Sequence, residues 1–316
     1  MDEDKLYRKL FSSAMHPFKL KPFYFKAKET NSSVITLATI CTHQRIEMLP
    51  FLAERWGGPL SITYHLEEGE TLDKELQKLK EVYEGSDFLR KFASIHLIID
   101  NLPLQLNLWR NIARFYSDSP SVLILDVEFV PNPDMYSYIL KNWNNLEVLL
   151  NKKTALVVPA YELTKNDLTI PETKSKLLEL VEQNQAQMFH SYWYHGQGHT
   201  NHQKWETTDV MYPTETYNPS YEPYLIYSQD SPFCDERFYG YGSNKCACVY
   251  ELVLAGYELQ VLPESFIVHR PHGEYSLSSE ERKRRTKENE INGGTFMRFM
   301  KDIRFKYEFD SVVNEN

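Results

Sequence analysis

The chain has 316 residues, a net charge of -9 and 42% hydrophobic residues, and its 21 Tyr and 17 Phe make it rich in aromatic rings. This composition predicts a globular protein of one large domain or two closely packed ones. The negative charge excludes nucleic acid as the main partner, because polyanion binding depends on Lys and Arg. No stretch approaches the roughly 18 consecutive apolar residues of a membrane span, and residues 1–18 lack the apolar segment of a signal peptide, so we expect a soluble protein as the chain stands.

The first half of the chain alternates apolar runs with amphipathic segments, which is typical of a parallel, doubly wound α/β sheet. "SVITLATI" (33–40) predicts a buried strand, and a helix over 44–56 places Ile46, Leu49 and Leu52 on one face. The further predicted strands are 57–66 with its turn, 95–100, 121–126 and 155–161, and the further predicted helices are 70–87, 104–117 and 133–149.

The second half is less regular and contains a polar, aromatic stretch over 188–222. "SSEE" fits a capping box with Ser278 as the N-cap and Glu281 reaching back, so the basic run 282–285 is predicted to be helical. The other predicted elements are helices near 172–184 and 243–255, a C-terminal helix, and strands near 223–228, 257–262 and 265–269.

The four cysteines, Cys41, Cys234, Cys246 and Cys248, are too few for a scaffold built on disulfides. Cys246 and Cys248 lack the spacing of a zinc knuckle. We therefore interpret all four as free thiols in the core.

Two acids end the apolar run 122–125. Burying Asp126 or Glu128 without a partner would be costly, and ligands of doubly wound sheets bind beyond the carboxyl ends of strands. Such a carboxylate pair can hold Mg²⁺ or Mn²⁺, which carries a substrate diphosphate; two solvated acids are the alternative. His269 ends another apolar run in "FIVHRPH" and favours the metal site as its third ligand.

Six further segments surround Asp126-Val127-Glu128 in a fixed order. They are "NLWRNIA" (107–113), "ALVVPAYE" (155–162), "GHTNHQKW" (198–205), "YEPYLI" (221–226), "DERFYGYGSNK" (235–245) and "VLPESFIVHRPH" (261–272). In this order and spacing the chain resembles glycosyltransferase family 49 over roughly residues 33 to 306.

This resemblance implies a GT-A type fold that transfers a sugar from a UDP donor with inversion, using Mn²⁺ or Mg²⁺. In family members the sugar is often glucuronic acid, passed to a xylose-ending acceptor. A single domain would cover 33–306, with a nucleotide-binding half (33–131) and an acceptor-binding half (132–306). Residues 1–32 would form an N-terminal extension and 307–316 a tail.

Carried over by position, Asp126 would face the donor ribose and the metal, with Glu128 and His269 as the other metal ligands. The family usually has Asp where this chain has Glu128. This chain would therefore differ from the family in its affinity for the metal or in which metal it binds. The resemblance also covers the start of a predicted helix, where side chains would reach the nucleotide. The matching residues there are Asn107, Arg110 and Asn111.

Sugar transfer also needs cations for the leaving diphosphate and a base for the acceptor hydroxyl. Lys245 and Arg270 are the candidate cations. Asp235, slightly favoured over Glu236, is the candidate base, and the alternative is a structural cluster in which Arg237 pairs with either acid.

The segment 191–213 has the aromatics, amides and charges of a sugar-binding cleft. Two glycines inside its His-x-x-x-His spacing argue against a helical zinc site. Lys204 would pair with the carboxylate of a glucuronate donor. The full set of candidate sugar-binding residues is Trp193, His195, His199, Asn201, Lys204 and Trp205.

Two alternatives to glucuronyl transfer stay open. The same fold could use UDP-xylose, UDP-N-acetylglucosamine or UDP-galactose, or the domain could bind UDP or sugar without catalysis. The expected partners are a UDP-sugar and a glycan or glycoprotein acceptor. The resemblance implies the Golgi lumen, and the sequence predicts no oligomeric state.

Overall fold

The computed structural model describes residues 19–29, 33–269 and 278–314, which form an α/β fold. Its strands are β1 (Lys19–Phe25), β2 (Ile35–Thr42), β3 (Leu60–Leu66), β4 (Ala93–Ile99), β5 (Ser121–Ile124), β6 (Phe129–Pro131), β7 (Thr154–Val158), β8 (Ala160–Leu163), β9 (Ala186–Met188), β10 (Tyr212–Pro213), β11 (Tyr224–Ser228), β12 (Glu258–Val261) and β13 (Ile267–His269).

Helices connect most of these strands. They are α1 (Leu49–Trp56), α2 (Leu72–Gly85), α3 (Asp87–Phe92), α4 (Leu106–Phe115), α5 (Met135–Lys141), α6 (Trp143–Asn151), α7 (Lys174–Glu182), α8 (Tyr194–Gln197), α9 (His202–Thr207), α10 (Asn244–Leu254) and α11 (Ser279–Asn314). Short 3-10 turns cover His43–Met48 and Gly198–Thr200. None of the helices in these described ranges is long and apolar enough to cross a membrane.

The central sheet has nine strands in the order β1-β4-β3-β2-β5-β11-β7-β12-β10. Strands β2 to β5 run parallel, and β7 and β12 share their direction because β11 is antiparallel to both β5 and β7. A smaller sheet has the order β6-β13-β8-β9. The predicted fold class, an α/β fold with a mainly parallel central sheet flanked by helices, is confirmed.

Strand alternation divides the apolar residues between two cores, one on each face of the central sheet. In β2, Leu37 belongs to the core packed against α1, whereas Ala38 belongs to the opposite core. In β7, Leu156 and Val157 separate in the same way. This division explains why neither strand contains a charged residue, since each is buried on both faces.

Several predicted elements have different bounds. The predicted strand 155–161 is split at Pro159 into β7 and β8, which belong to different sheets. The predicted helix 133–149 is two helices that meet at Asn142. Strand β1 lies within the predicted N-terminal extension and pairs with β4, and α11 runs beyond residue 306. The Ser278 N-cap is confirmed, because the Glu281 amide donates to Ser278 Oγ at 3.1 Å. The Glu281 carboxylate accepts from Arg285 Nη2 at 3.0 Å, so its predicted reach back to Ser278 stays a prediction.

The interpretation of all cysteines as free thiols is wrong for two of them. Cys234 and Cys248 are joined by a disulfide, and Cys41 and Cys246 are buried free thiols. The two bonded residues are 14 positions apart, and the fold brings their Cα atoms to 4.6 Å, within the usual range for a disulfide.

Candidate active site

Asp126 follows β5 at the edge where the chain leaves the sheet, and it is met by protein side chains. The amide of Leu125 still donates to Ala38 of β2. Asp126 Oδ1 accepts from Arg110 Nη2 at 3.1 Å, and Oδ2 accepts from Lys245 Nζ at 3.0 Å. Tyr224 Oη donates to the same Oδ2 at 2.8 Å. The cations supplied by α4 and α10 therefore balance the acid that ends β5.

These partners set the protonation of the cluster. Burial alone would raise the pKa of Asp126, but Lys245 and then Arg110 lower it well below its ordinary value. Burial, followed by the charge of Asp126, raises the pKa of Tyr224 well above its ordinary value. Asp126 is therefore an anion, and Tyr224 is a neutral donor, throughout the physiological pH range.

Arg110 is held in place by a network that joins three segments. Its Nη1 donates to Asn107 Oδ1 at 3.0 Å and to Asn244 Oδ1 at 2.6 Å. Asn107 Nδ2 in turn donates to the carbonyls of Asp235 and Asn244 at 2.8 and 2.9 Å. The predicted residues of α4 thus hold the acids and loops of the site in place, and Trp109 of the same helix is buried in the core.

Glu128 and His269 come together where β6 pairs with β13. Phe129 opposes His269 in the register, and Glu128 Oε2 lies 3.6 Å from His269 Nε2. Arg45 Nε donates to the other oxygen, Glu128 Oε1, at 2.5 Å. The His269 ring packs against Phe129 and Phe189, with ring centroids 5.1 and 5.2 Å apart.

This pair supplies a carboxylate oxygen and an imidazole nitrogen, a donor set that suits Mn²⁺. Within the described ranges, no group of three or more His, Cys, Asp and Glu side chains has the arrangement of a metal site. The oxygens of Asp126 are bonded to Arg110, Lys245 and Tyr224, so its direct contact with a metal stays a prediction. Arg270 lies outside the described residues.

The two candidate bases lie on the loop between β11 and α10. Asp235 Oδ1 accepts from both the amide and the Nε of Arg237, each at 2.9 Å. Glu236 Oε1 accepts from Asn111 Nδ2 at 2.8 Å. Arg237 also pairs with Asp302 at 2.5 Å. The structure therefore contains the Asp235–Arg237 pair of the alternative interpretation, whereas Asn111 orients the carboxylate of Glu236.

The predicted sugar-binding residues are not all on one surface. Trp193 and His195 are exposed, and His199 is half-buried beside Tyr221, with ring centroids 5.5 Å apart. Trp205 is fully buried and donates to the Leu262 carbonyl at 2.8 Å. The structure places Trp205 in the core, where a sugar cannot contact its ring.

Asn201 and Lys204 belong to the start of α9. Asn201 Oδ1 accepts from the Lys204 amide at 3.0 Å as an N-cap, and its Nδ2 donates to Glu215 at 2.9 Å. The ammonium of Lys204 lies 4.6 Å from the centroid of the Tyr212 ring. Asn201 therefore has a structural role that explains its presence without a sugar.

The sequence patterns did not identify three further residues in this region of the structure. Arg45 pairs with Glu128, and Tyr224 donates to Asp126 although it lies inside the "YEPYLI" segment. His190 has a φ of 52°, in the left-handed region, and stacks on Phe189 with ring centroids 3.8 Å apart. Strained backbone of this kind often occurs at functional sites, but no sequence signal marks it.

A small cavity lies beside Asp126. Arg110, Lys245 and Tyr224 line it on the Asp126 side, and the Cys234–Cys248 disulfide forms another part of its wall.

Comparison with known proteins identifies relatives over most of the chain. Residues 34–105 and 98–308 match the family described as "Glycosyl-transferase for dystroglycan". "Xylosyl- and glucuronyltransferase LARGE2" of Mus musculus is 35% identical over 245 residues, which cover 75% of this chain and 34% of that protein. "Xylosyl- and glucuronyltransferase LARGE1" of Homo sapiens is 32% identical over 246 residues, covering 77% and 32%. The chain spans about a third of the length of these curated relatives.

Solved structures are similar at lower levels. S. aureus TarS 1-349 aligns with a TM-score of 0.44 and 10% identity, covering 74% of this chain and 60% of the other. GalNAc-T7 with UDP, GalNAc and Mn²⁺ aligns with a TM-score of 0.41 and 12% identity, covering 82% and 48%.

Proposed function

The chain belongs to the family described as "Glycosyl-transferase for dystroglycan", and from this premise we propose that it transfers glucuronic acid from UDP-glucuronate to a xylose-ending glycan with inversion. The observation that carries the proposal is the arrangement at the carboxyl ends of β5 and β13. There Glu128 faces His269 at 3.6 Å, beside the Asp126–Lys245 pair. The relatives named above are called xylosyl- and glucuronyltransferases, so UDP-xylose is the second donor to test.

Glu128 and His269 would hold a divalent cation, with Mn²⁺ preferred over Mg²⁺ because one donor is an imidazole nitrogen. When bound, the cation would supply positive charge to the diphosphate leaving group. Asp126 holds the side chains of Lys245 and Arg110 in fixed directions, so these cations can bind the donor without reorganisation. Trp193 and His195, which are exposed, remain candidates for binding the acceptor.

In the transfer step, the acceptor hydroxyl oxygen bonds to the anomeric carbon as the bond from that carbon to the UDP oxygen breaks. The hydroxyl proton passes to Asp235 or Glu236, and UDP leaves with the bonding electrons. A base must lie within hydrogen-bond reach of the hydroxyl. Asp235→Asn and Glu236→Gln, measured separately, would identify which carboxylate takes the proton.

UDP release from a panel of UDP-sugars, with and without Mn²⁺ and a xyloside acceptor, tests the proposal. The variants are Glu128→Ala and, as a control, Glu147→Ala, which removes an exposed carboxylate of α6. We expect Mn²⁺-dependent release from UDP-glucuronate that falls about 100-fold in Glu128→Ala, a loss typical of damaged metal sites, and is unchanged in Glu147→Ala.

A second candidate function is UDP or sugar binding without turnover. The Arg45–Glu128 contact of 2.5 Å favours it, because a protein cation already neutralises that carboxylate. Saturable UDP binding with no release from any donor, in the presence or absence of acceptor, would support this function and contradict the transferase proposal.

A further inference from the structure

The Cys234–Cys248 disulfide lies between the candidate catalytic acids and a candidate donor-binding cation. Cys234 directly precedes the candidate bases Asp235 and Glu236. Cys248 is in α10, three residues after Lys245 and therefore on the same side of the helix. The bond thus connects the loop that carries the acids to the helix that carries a donor-site cation.

Asn111 holds the same loop from a third segment. The Cys234 amide donates to Asn111 Oδ1 at 3.0 Å, and Asn111 Nδ2 donates to the Cys234 carbonyl at 2.8 Å. The other hydrogen bond of Nδ2 goes to Glu236 at 2.8 Å. Cys234 is therefore fixed both to α4 and to α10, at the residue before the acids.

The donor side of the site has its own supports. Lys245 and Arg110 are held by Asp126, and Arg110 also donates to Asn244. These contacts involve neither sulfur. Loss of the disulfide would therefore remove the covalent link between the acid loop and α10 while leaving the cations in place, and the loop would then be held by its hydrogen bonds to α4.

We propose that the Cys234–Cys248 disulfide is a positioning element of the active site, which fixes the acids at 235 and 236 against the donor-binding face of α10. This inference rests on the proposed transferase function. If the disulfide only stabilised the fold, its loss would lower the unfolding temperature and leave the kinetics of the folded fraction unchanged.

The first measurement is a thiol count on the unfolded chain. The proposal requires two reactive thiols before reduction and four after it, because Cys41 and Cys246 are free. Four thiols before reduction would overturn it.

The kinetic test uses the double variant Cys234→Ser/Cys248→Ser, which leaves no unpaired partner. Its control is Cys41→Ala, which removes a buried free thiol from the core packed against α1. We expect kcat for UDP-glucuronate turnover to fall about 10- to 100-fold, since a displacement near 1 Å can cost that much. We expect the donor KM to stay within about threefold, because a selective loss of kcat indicates a change in the reacting geometry rather than in binding. Cys41→Ala should keep both values after correction for its folded fraction.

Reduction of the folded wild type with a phosphine provides the second measurement. The phosphine supplies two electrons and water supplies two protons, so the S–S bond breaks to give two thiols, and the phosphine becomes its oxide by taking the oxygen of that water. The same selective fall in kcat, reversed on re-oxidation, would support the proposal. An unchanged kcat with four thiols present, or a loss that only follows the folded fraction, would overturn it.

Hydrogen exchange separates failure of this inference from failure of the proposed function. The Cys234 amide is bonded to Asn111, so its exchange reports the position of the loop without any turnover. Faster exchange over 234–238 in the double variant, with no sugar transfer by any form of the protein, would refute the transferase and keep the positioning role. Unchanged exchange would refute the positioning role.

Discussion

Replacement of Asp126 by Asn tests the charge cluster most directly. The change keeps the size of the side chain and removes the anion shared by Arg110 and Lys245, whose side chains are only 6% and 19% exposed. Tyr224 can still donate to the amide oxygen. The two cations would be left partly buried without their counter-ion.

The expected loss of stability is about 3 kcal/mol. Removal of one partner of a buried ion pair costs about 3–5 kcal/mol, and the lower end applies because the Asp126 side chain is 29% exposed. A loss of this size should lower the unfolding temperature by about 6 °C, taking the smaller shift per kcal/mol that a large domain shows.

The pH dependence of the free energy of unfolding gives an independent check, and its direction follows from the lowered pKa of Asp126. The folded pKa of Asp126 is lowered by Lys245 and Arg110 against the opposing effect of burial. Its contribution to stability is therefore complete above the ordinary aspartate pKa of about 3.9 and is lost as the pH falls below that value. The wild type should lose up to about 1.4 kcal/mol per pH unit there from this group, and Asp126→Asn should lack that part of the slope.

Urea unfolding followed by tryptophan fluorescence measures both effects. Asp167→Asn is the control, because Asp167 is exposed and its loss should change the unfolding free energy by less than about 0.5 kcal/mol. A double-mutant cycle with Lys245→Met isolates the pair, with an expected coupling of about 0.5–3 kcal/mol. Stability of Asp126→Asn equal to the wild type at pH 7, with an unchanged acid slope, would refute the ion-pair interpretation.

Burial lowers the pKa of His96 to about 3, so below pH 6.5 the unfolded state takes up a proton that the folded state does not. Between pH 6.5 and 5 we therefore expect the free energy of unfolding, measured with urea, to fall by about 2 kcal/mol. His96→Gln should lack this fall. Trp205→Ala should lower the free energy of unfolding by about 3–5 kcal/mol in the same assay. Trp193 is 51% exposed, so Trp193→Ala should leave the free energy of unfolding nearly unchanged and should raise the KM for a xyloside acceptor. Ser278→Ala should cost about 1 kcal/mol, visible as faster hydrogen exchange in the first turn of α11; unchanged exchange would show that the Ser278 cap contributes nothing.

Apolar periodicity was sufficient to predict the order of the main strands and helices. It was insufficient for β1, whose sequence "KLKPFYF" contains a proline and two lysines. Such residues are tolerated at a sheet edge, where one side of the strand needs no hydrogen bonds. The strand forms because β4 offers a partner, which is a property of the folded sheet rather than of residues 19–25.

Apolar periodicity also failed to predict the break at Pro159, although it correctly predicted extended chain on both sides of that residue. The run 155–161 is apolar throughout, so periodicity predicts one strand. Proline has no amide hydrogen and cannot continue the ladder, and the chain passes there from the central sheet to the smaller one. That passage brings β8 alongside β13, with Glu162 opposite His269 in the register, and so decides what surrounds the candidate metal ligand.

The acid pair itself shows what kind of information a sequence contains about a site. Burial energetics require that Asp126 and Glu128 have partners, and this requirement was correct. The partners of Asp126 come from α4, β11 and α10, whereas Glu128 faces Arg45 and His269. Two acids two residues apart are thus neutralised by separate sets of residues, because the chain turns between β5 and β6. Asp126 is consequently suited to hold Lys245 and Arg110 in place, and Glu128 is the acid that faces a second potential ligand of a cation.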